Sequence, residues 1–261
     1  MLGMIAGGFL FCQGGKNEVS TMRISPFQTK AAAASRDSTL PERHTNITAL
    51  YEAFSLLLEG VVTARVFPEQ GSCVDLDCTK VGPINRAGRF GGGDWPPQGL
   101  TMVGTCRIIN IKDAIEHVVA AGVEGDFVEL GAWRGGASMY ARAILNALGQ
   151  NSRKVHVFDA WDVLQQYQDA RSYMAVSEDR VRDYFTDFGF MEGSNFVKGL
   201  FKDTLPAWRE INLGIKVAIL RVDGNLYSSH QVRKECVAFV IFFFLVSHTH
   251  TFPNSFAERI L

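Results

Sequence analysis

Apolar positions begin to recur with helical spacing at Tyr51, where Tyr51, Phe54, Leu57 and Leu58 define one face and Gly60 offers a stop. From Phe67 to Gly93 that periodicity is lost among Pro, Gly, Asp and Cys, which predicts a long loop of functional or disordered character. Ile108 to Ala121 restores it: Ile108, Ile111, Ile115, Val118 and Val119 share a face, and Gly122 stands where a left-handed cap is wanted. The period then shortens to that of buried strands. Asp126 to Leu130 reads as a strand, Ala137 to Leu148 as a helix ending at Gly149, and Lys154 to Phe158 as a second strand closed by Asp159.

Ser177 reads as an N-cap, because Glu178 and Asp179 put negative charge in the first turn of a helix that buries Val181, Tyr184, Phe185 and Phe188 before Gly189. Asn195 to Lys198 is a short strand and Val217 to Val222 a stronger one that delivers Asp223 at its carboxyl end. Strands alternating with helices predict an α/β domain whose mostly parallel sheet is covered on both faces. The chain shows no internal repeat.

Composition narrows this picture. The chain has 261 residues, 47% of them apolar and 20% charged, as expected of a globular protein with one sizeable α/β domain and some extra length. A formal net charge of −1 gives no electrostatic footprint for nucleic acid or anionic membrane, so small or neutral substrates are favoured. The five cysteines are odd in number and irregular in spacing. They read as reduced thiols of an intracellular protein, with a local disulfide or metal role for Cys73 and Cys78 the minor alternative. No apolar run reaches the roughly 18–20 residues that span a bilayer, and Val237 to Val246 reads instead as a buried strand or the core of a damaged region. The first 48 residues, basic and rich in Ser, Thr and Ala after an apolar start, read as a disordered extension or an organelle presequence on an otherwise cytoplasmic chain. Asn46-Ile47-Thr48 matches a glycosylation sequon, a triplet common by chance.

The chemistry concentrates at Glu129-Leu130-Gly131-Ala132-Trp133-Arg134-Gly135-Gly136, a strand-to-helix turn. Its glycines let backbone approach a ligand, and the helix start supplies free amides. A pyrophosphate-binding turn wants Gly-x-Gly-x-x-Gly, and Ala132 and Trp133 break that spacing. An acid ending the first strand suits a cationic, amino-acid-bearing cofactor better than a diphosphate. Asp159, ending the second strand, is placed to accept hydrogen bonds from ribose hydroxyls. The bland alternative is a tight turn and a helix-capping Asp in some other α/β protein. Asp223 reads as a hard-cation ligand or a general base, or as a simple helix cap. His117 and His156 read as packing or surface residues, Lys198, Lys202 and Arg221 as solvated or paired with carboxylates, and His248 and His250 give little ground for a metal site.

Together these segments resemble the macrocin O-methyltransferase (TylF-like) family. The matching stretches are Asp94-Trp95-Pro96-Pro97, Thr101-Met102-Val103-Gly104, Asp126 to Gly136, Val157-Phe158-Asp159, Met174 to Ser177, Lys198 to Pro206 and Leu220 to Ser228, in order between Tyr51 and Ser229. The resemblance implies a Rossmann-like class I methyltransferase fold, with residues from about Asp126 to Tyr227 as its cofactor-binding half. It implies transfer of a methyl group from S-adenosyl-L-methionine to a hydroxyl of a small-molecule acceptor, a sugar or natural product, with Mg2+ polarising the acceptor oxygens. Carried over by motif, Glu129, Gly131, Trp133, Gly135 and Asp159 would hold the cofactor, with Met102, Gly104 and Ser138 close to it. Asp223 would be the catalytic base or metal ligand. Homo-oligomerisation is left open.

Two departures qualify the resemblance. The family's Asp-Gly-Asp is Asp223-Gly224-Asn225 here, and the Asp-Asp pair that completes its metal site has no counterpart after Gln231. The tail reads as replaced sequence, an exon lost or an intron translated, so the sheet is expected to be truncated after its fourth strand. The expected organisation is therefore 1–48 extension, 49–122 helical lid region, 123–231 cofactor-binding domain and 232–261 atypical tail. A catalytically impaired or non-catalytic cofactor-binding remnant is the alternative to an active enzyme, because one Asp alone meets little of the near-octahedral demand of Mg2+.

Overall fold

A computed structural model describes residues 46–75, 78–161, 174–224 and 245–247. The main sheet is parallel, in the order β5-β4-β3-β6-β7. Its strands are β3 (Asp126–Leu130), β4 (Val155–Asp159), β5 (Ser194–Lys198), β6 (Val217–Val222) and β7 (Leu245–Ser247). The four expected strands are all present. The apolar run of the tail adds the three-residue β7, paired to β6 through Leu220↔Leu245 and Val222↔Ser247.

Strand residues alternate between two cores, as the period of two requires. Phe127, Val155, Val157 and Ile219 face a large cluster built with α1 (Ile47–Val62), α3 (Gly104–Ala120), α4 (Gly136–Ala147) and α5 (Glu178–Asp187). Val128, Leu130, Phe158, Leu220 and Val222 face a smaller cluster with Leu205 and Trp208 of α6 (Phe201–Ile211). Apolar side chains on both faces are what a covered parallel sheet demands. The large cluster runs from Leu58 to Ile219 and so takes residues from both the 49–122 and the 123–231 segments.

The local signals place most element ends well. Ser177 Oγ accepts from the Arg180 amide and caps α5. Gly122 takes φ +66° just beyond α3, whose buried face is Ile108, Ile111, Ile115 and Val118. Asn46, read as a chance sequon, is the N-cap of α1, its Oδ1 accepting from the Ala49 amide at 3.1 Å.

Four expectations need correction. First, α1 continues through Gly60 to Val62 and buries Ser55, Leu58, Glu59 and Val62, while Phe54 and Leu57 are 40% and 62% exposed. Polar anchoring turns the helix: the buried Glu59 carboxylate accepts from Arg65, Thr63 and Thr105, and a buried charge must be paired. Second, the expected loop from Phe67 to Gly93 holds a hairpin of β1 (Ser72–Cys73) and β2 (Val81–Gly82), followed by α2 (Arg86–Gly91). Arg89 of α2 organises it, pairing with buried Asp94 and donating to the carbonyls of Thr63, Ala64 and Gly71. Third, Cys73 and Cys78 are joined by a disulfide and Cys106 is also disulfide-bonded, where reduced thiols were expected. Fourth, α6 had no counterpart among the expected elements, since Pro206 lies inside it. The packing of Leu205 and Trp208 on the sheet outweighs the lost helical bond.

Candidate active site

Three strand ends converge at Gly131. Its amide donates to Phe158 O of β4 at 2.8 Å, and the Asp223 amide beyond β6 donates to Leu130 O of β3 at 2.8 Å. Gly131 takes φ +96°, and a Cβ there would lie 2.6 Å from Asp223 O, so the turn and the β6 end are in backbone contact. The carboxyl edge of a parallel sheet, where neighbouring strands end together, is where such folds place ligands.

Asp159 closes β4 and organises the turn from the side. Its carboxylate accepts from the Trp133 amide at 2.8 Å and the Trp161 amide at 2.9 Å. Both tryptophans are left-handed, with φ +51°, and Trp161 Nε1 donates to Trp133 O at 3.0 Å. Left-handed backbone at two bulky residues around one carboxylate is strain of the kind that collects at functional sites. Burial pushes the Asp159 carboxyl above its ordinary range, with the amides of Trp161, Trp133, Ala132 and Ala160 pulling the other way.

The segment 94–104 lies against this turn. Arg134 Nη1 donates to Pro97 O and Gly99 O, both at 2.9 Å, and its guanidinium stacks over Trp133 at 4.2 Å. The Gly136 amide donates to Leu100 O at 2.9 Å. Met102 is half-buried just ahead of α3. Gly104 packs on Gly92, whose amide would lie 2.3 Å from a Cβ there, and so joins α3 to α2. Gly135 takes φ +81° and fits against Phe185 and Val181 of α5.

Glu129 and Ser138 lie beneath the turn. They are 1% and 0% exposed, and Ser138 Oγ donates to the Glu129 carboxylate, which also accepts from Arg221 Nη1. Arg221 Nη2 donates to Asp223 Oδ2 at 2.7 Å. Sequence reasoning grouped Arg221 with solvated or carboxylate-paired cations. It is 1% exposed and paired with both acids, a role that only the β3–β6 register Glu129↔Arg221 reveals. Arg134 was missed, although it sits inside the motif. Lys202 pairs with Asp203 at the surface. His156 is buried between Asp126 and Asn195, while His117 is exposed. His248 and His250 fall outside the described residues.

Among the described residues no three His, Cys, Asp or Glu side chains group as a metal site would require. The donor set around Asp223 also fits a dication poorly, because a guanidinium already occupies one carboxylate oxygen. Among the described residues no helix is long and apolar enough to cross a membrane.

Comparison with known proteins agrees with this geometry. The macrocin-O-methyltransferase (TylF) family model matches residues 61–235. The 8-demethyl-8-(2,3-dimethoxy-alpha-L-rhamnosyl)-tetracenomycin-C 4'-O-methyltransferase of Streptomyces olivaceus is 37% identical over 155 residues, 54% of this chain and 58% of that protein. The demethyldecarbamoylnovobiocin O-methyltransferase of Streptomyces niveus is 38% identical over 152 residues, 53% of this chain and 56% of that protein. The chain thus spans little more than half the length of these curated relatives. The solved structure of the O-methyltransferase NovP superposes with a TM-score of 0.61 at 30% identity, covering 73% of this chain and 80% of that one. Sequence motifs, the parallel sheet with its glycine turn, and these matches agree that the chain belongs to the macrocin O-methyltransferase family and has its Rossmann-like methyltransferase fold.

Proposed function

We propose that the chain binds S-adenosyl-L-methionine at the Gly131 turn and, by descent, is an O-methyltransferase for a hydroxyl of a sugar or other small natural product. The observation that carries this reading is the meeting of three strand ends at Gly131, with Asp159 on one side and Asp223 on the other. The site fits a ribose-bearing cofactor: Asp159 is a half-buried carboxylate at a strand end, and a ribose diol supplies two donors to such an acceptor. Backbone of Gly131, Trp133 and Gly135 lines the turn, and the segment holding Met102 and Gly104 closes on it through Arg134. When bound, the cofactor supplies an electrophilic methyl group on a sulfonium.

The protein's share of the chemistry is then positioning and proton removal. The turn and the 94–104 segment hold the reacting partners close, which converts an encounter into a near-attack arrangement. Asp223, the carboxylate at the β6 end, takes the acceptor proton as general base. No step is assigned to Mg2+, because the described donor set does not suit it. That same observation favours a second reading, a cofactor-binding relative with impaired catalysis. The Streptomyces olivaceus relative, an O-methyltransferase for a rhamnosyl-tetracenomycin, supports the acceptor class.

The test is methyl transfer from radiolabelled S-adenosylmethionine to a panel of glycosidic hydroxyl acceptors, with and without Mg2+. Turnover that Asp223→Asn abolishes supports the enzyme; cofactor binding without turnover on any acceptor supports the second reading. Failure to bind the cofactor refutes both.

A further inference from the structure

The buried charges under the site form one connected unit. Glu129 on β3 and Arg221 on β6 are register partners, and Asp223 lies two residues beyond Arg221, on the same face of its strand. The Arg221 guanidinium binds Glu129 through Nη1 and Asp223 through Nη2 at 2.7 Å. Glu129 in turn holds Ser138 in the first turn of α4. Burial alone would pull Arg221 below its ordinary pKa; Asp223 and Glu129 outweigh it and hold the guanidinium firmly charged. Its Nε is buried with no hydrogen-bond partner. A side chain that leaves one donor unsatisfied to reach two carboxylates is placed by those carboxylates. Asp223 backbone and Gly131 are also in contact, so the unit sets the distance between the glycine turn and the strand-end acid.

We propose that Arg221 is the positioning residue of this site, and that Glu129 acts on it only through Arg221 and Ser138, without touching the cofactor. This deepens the S-adenosylmethionine reading of the Gly131 turn and rests on it. A lysine at 221 carries the charge but lacks the planar fork that serves two carboxylates at once, so charge and geometry are separable.

The experiment is a double-mutant cycle on the full chain: wild type, E129Q, R221M, R221K and E129Q/R221M. S-adenosylhomocysteine affinity is read by calorimetry and stability by urea unfolding. Each single change is expected to weaken the ligand by about tenfold, and the double change by no more than the worse single one, because coupled residues do not add. R221K is expected to recover part of the affinity lost in R221M. Losses that multiply in the double variant would mean that Glu129 contacts the cofactor directly, and would overturn the proposal. If wild type binds no S-adenosylhomocysteine, the cofactor reading fails, and the unfolding arm alone decides whether the unit exists. E129Q/R221M more stable than R221M supports the unit; additive losses of stability overturn it.

Discussion

Replacing Gly131 by alanine perturbs the contact between the glycine turn and the end of β6. A Cβ at residue 131 would sit 2.6 Å from Asp223 O, 2.8 Å from its carbonyl carbon and 3.2 Å from Gly224 N. All three are backbone atoms, so no side chain can swing away. The φ of +96° adds strain of about 1–3 kcal/mol for a residue with a Cβ. Displacing packed backbone adds about 1–3 kcal/mol. The sum, roughly 2–6 kcal/mol, is a large share of the about 5–15 kcal/mol that stabilises a typical domain. Gly122→Ala is the matched control, because Gly122 has φ +66° and no atom within 4 Å of its added Cβ. It carries strain without collision. Urea unfolding should therefore place Gly131→Ala well below Gly122→Ala, and calorimetry should show S-adenosylhomocysteine affinity lost in the former and kept in the latter. Equal stability of the two variants would refute the claim that turn and strand end are in contact.

Arg89→Met strands the buried Asp94 carboxylate and frees three backbone carbonyls, so urea unfolding should register a loss of about 3–5 kcal/mol. On α1, Leu58→Ala should cost about 2–5 kcal/mol and Leu57→Ala no more than about 0.5 kcal/mol, which checks the rotation of that helix directly. The raised Asp159 carboxyl contributes stability that is fully present at and below the ordinary carboxylate range. That contribution then declines as pH climbs from the ordinary aspartate range through the raised one, and is flat beyond. Ligand hydroxyls that donate to the ionised form reverse that shift, so S-adenosylhomocysteine should bind more tightly as pH rises through the same window and release a proton. Asp159→Asn should remove both dependences, the first read by unfolding against pH and the second by calorimetry in two buffers.

How much was legible in the sequence depended on whether the signal was local. Ser177, Gly122 and Gly149 mark helix ends through chemistry confined to a few residues, and the α3 face from Ile108 to Val118 follows from period alone. The α1 face did not, because Glu59 is buried by Arg65 and by Thr105 from a different helix. Apolar spacing at Phe54 and Leu57 carries no hint of such a partner. The hairpin and α2 were hidden for the same reason: Arg89 gathers carbonyls from residues far earlier in the chain. The placement of Gly131, Asp159 and Asp223 at one edge of the sheet was legible because each ends a strand or opens a turn. That Arg221 could pair with carboxylates was legible, but not which ones, because its partners are set only once β3 and β6 lie side by side.

The central claim is that the Gly131 turn is a site for S-adenosylmethionine, and calorimetric titration of the 261-residue chain tests it most directly. S-adenosylhomocysteine should bind saturably at one site per chain, with affinity weakened in Asp159→Asn, and NAD should give no binding. No binding of S-adenosylhomocysteine, or tighter binding of NAD, would contradict the account.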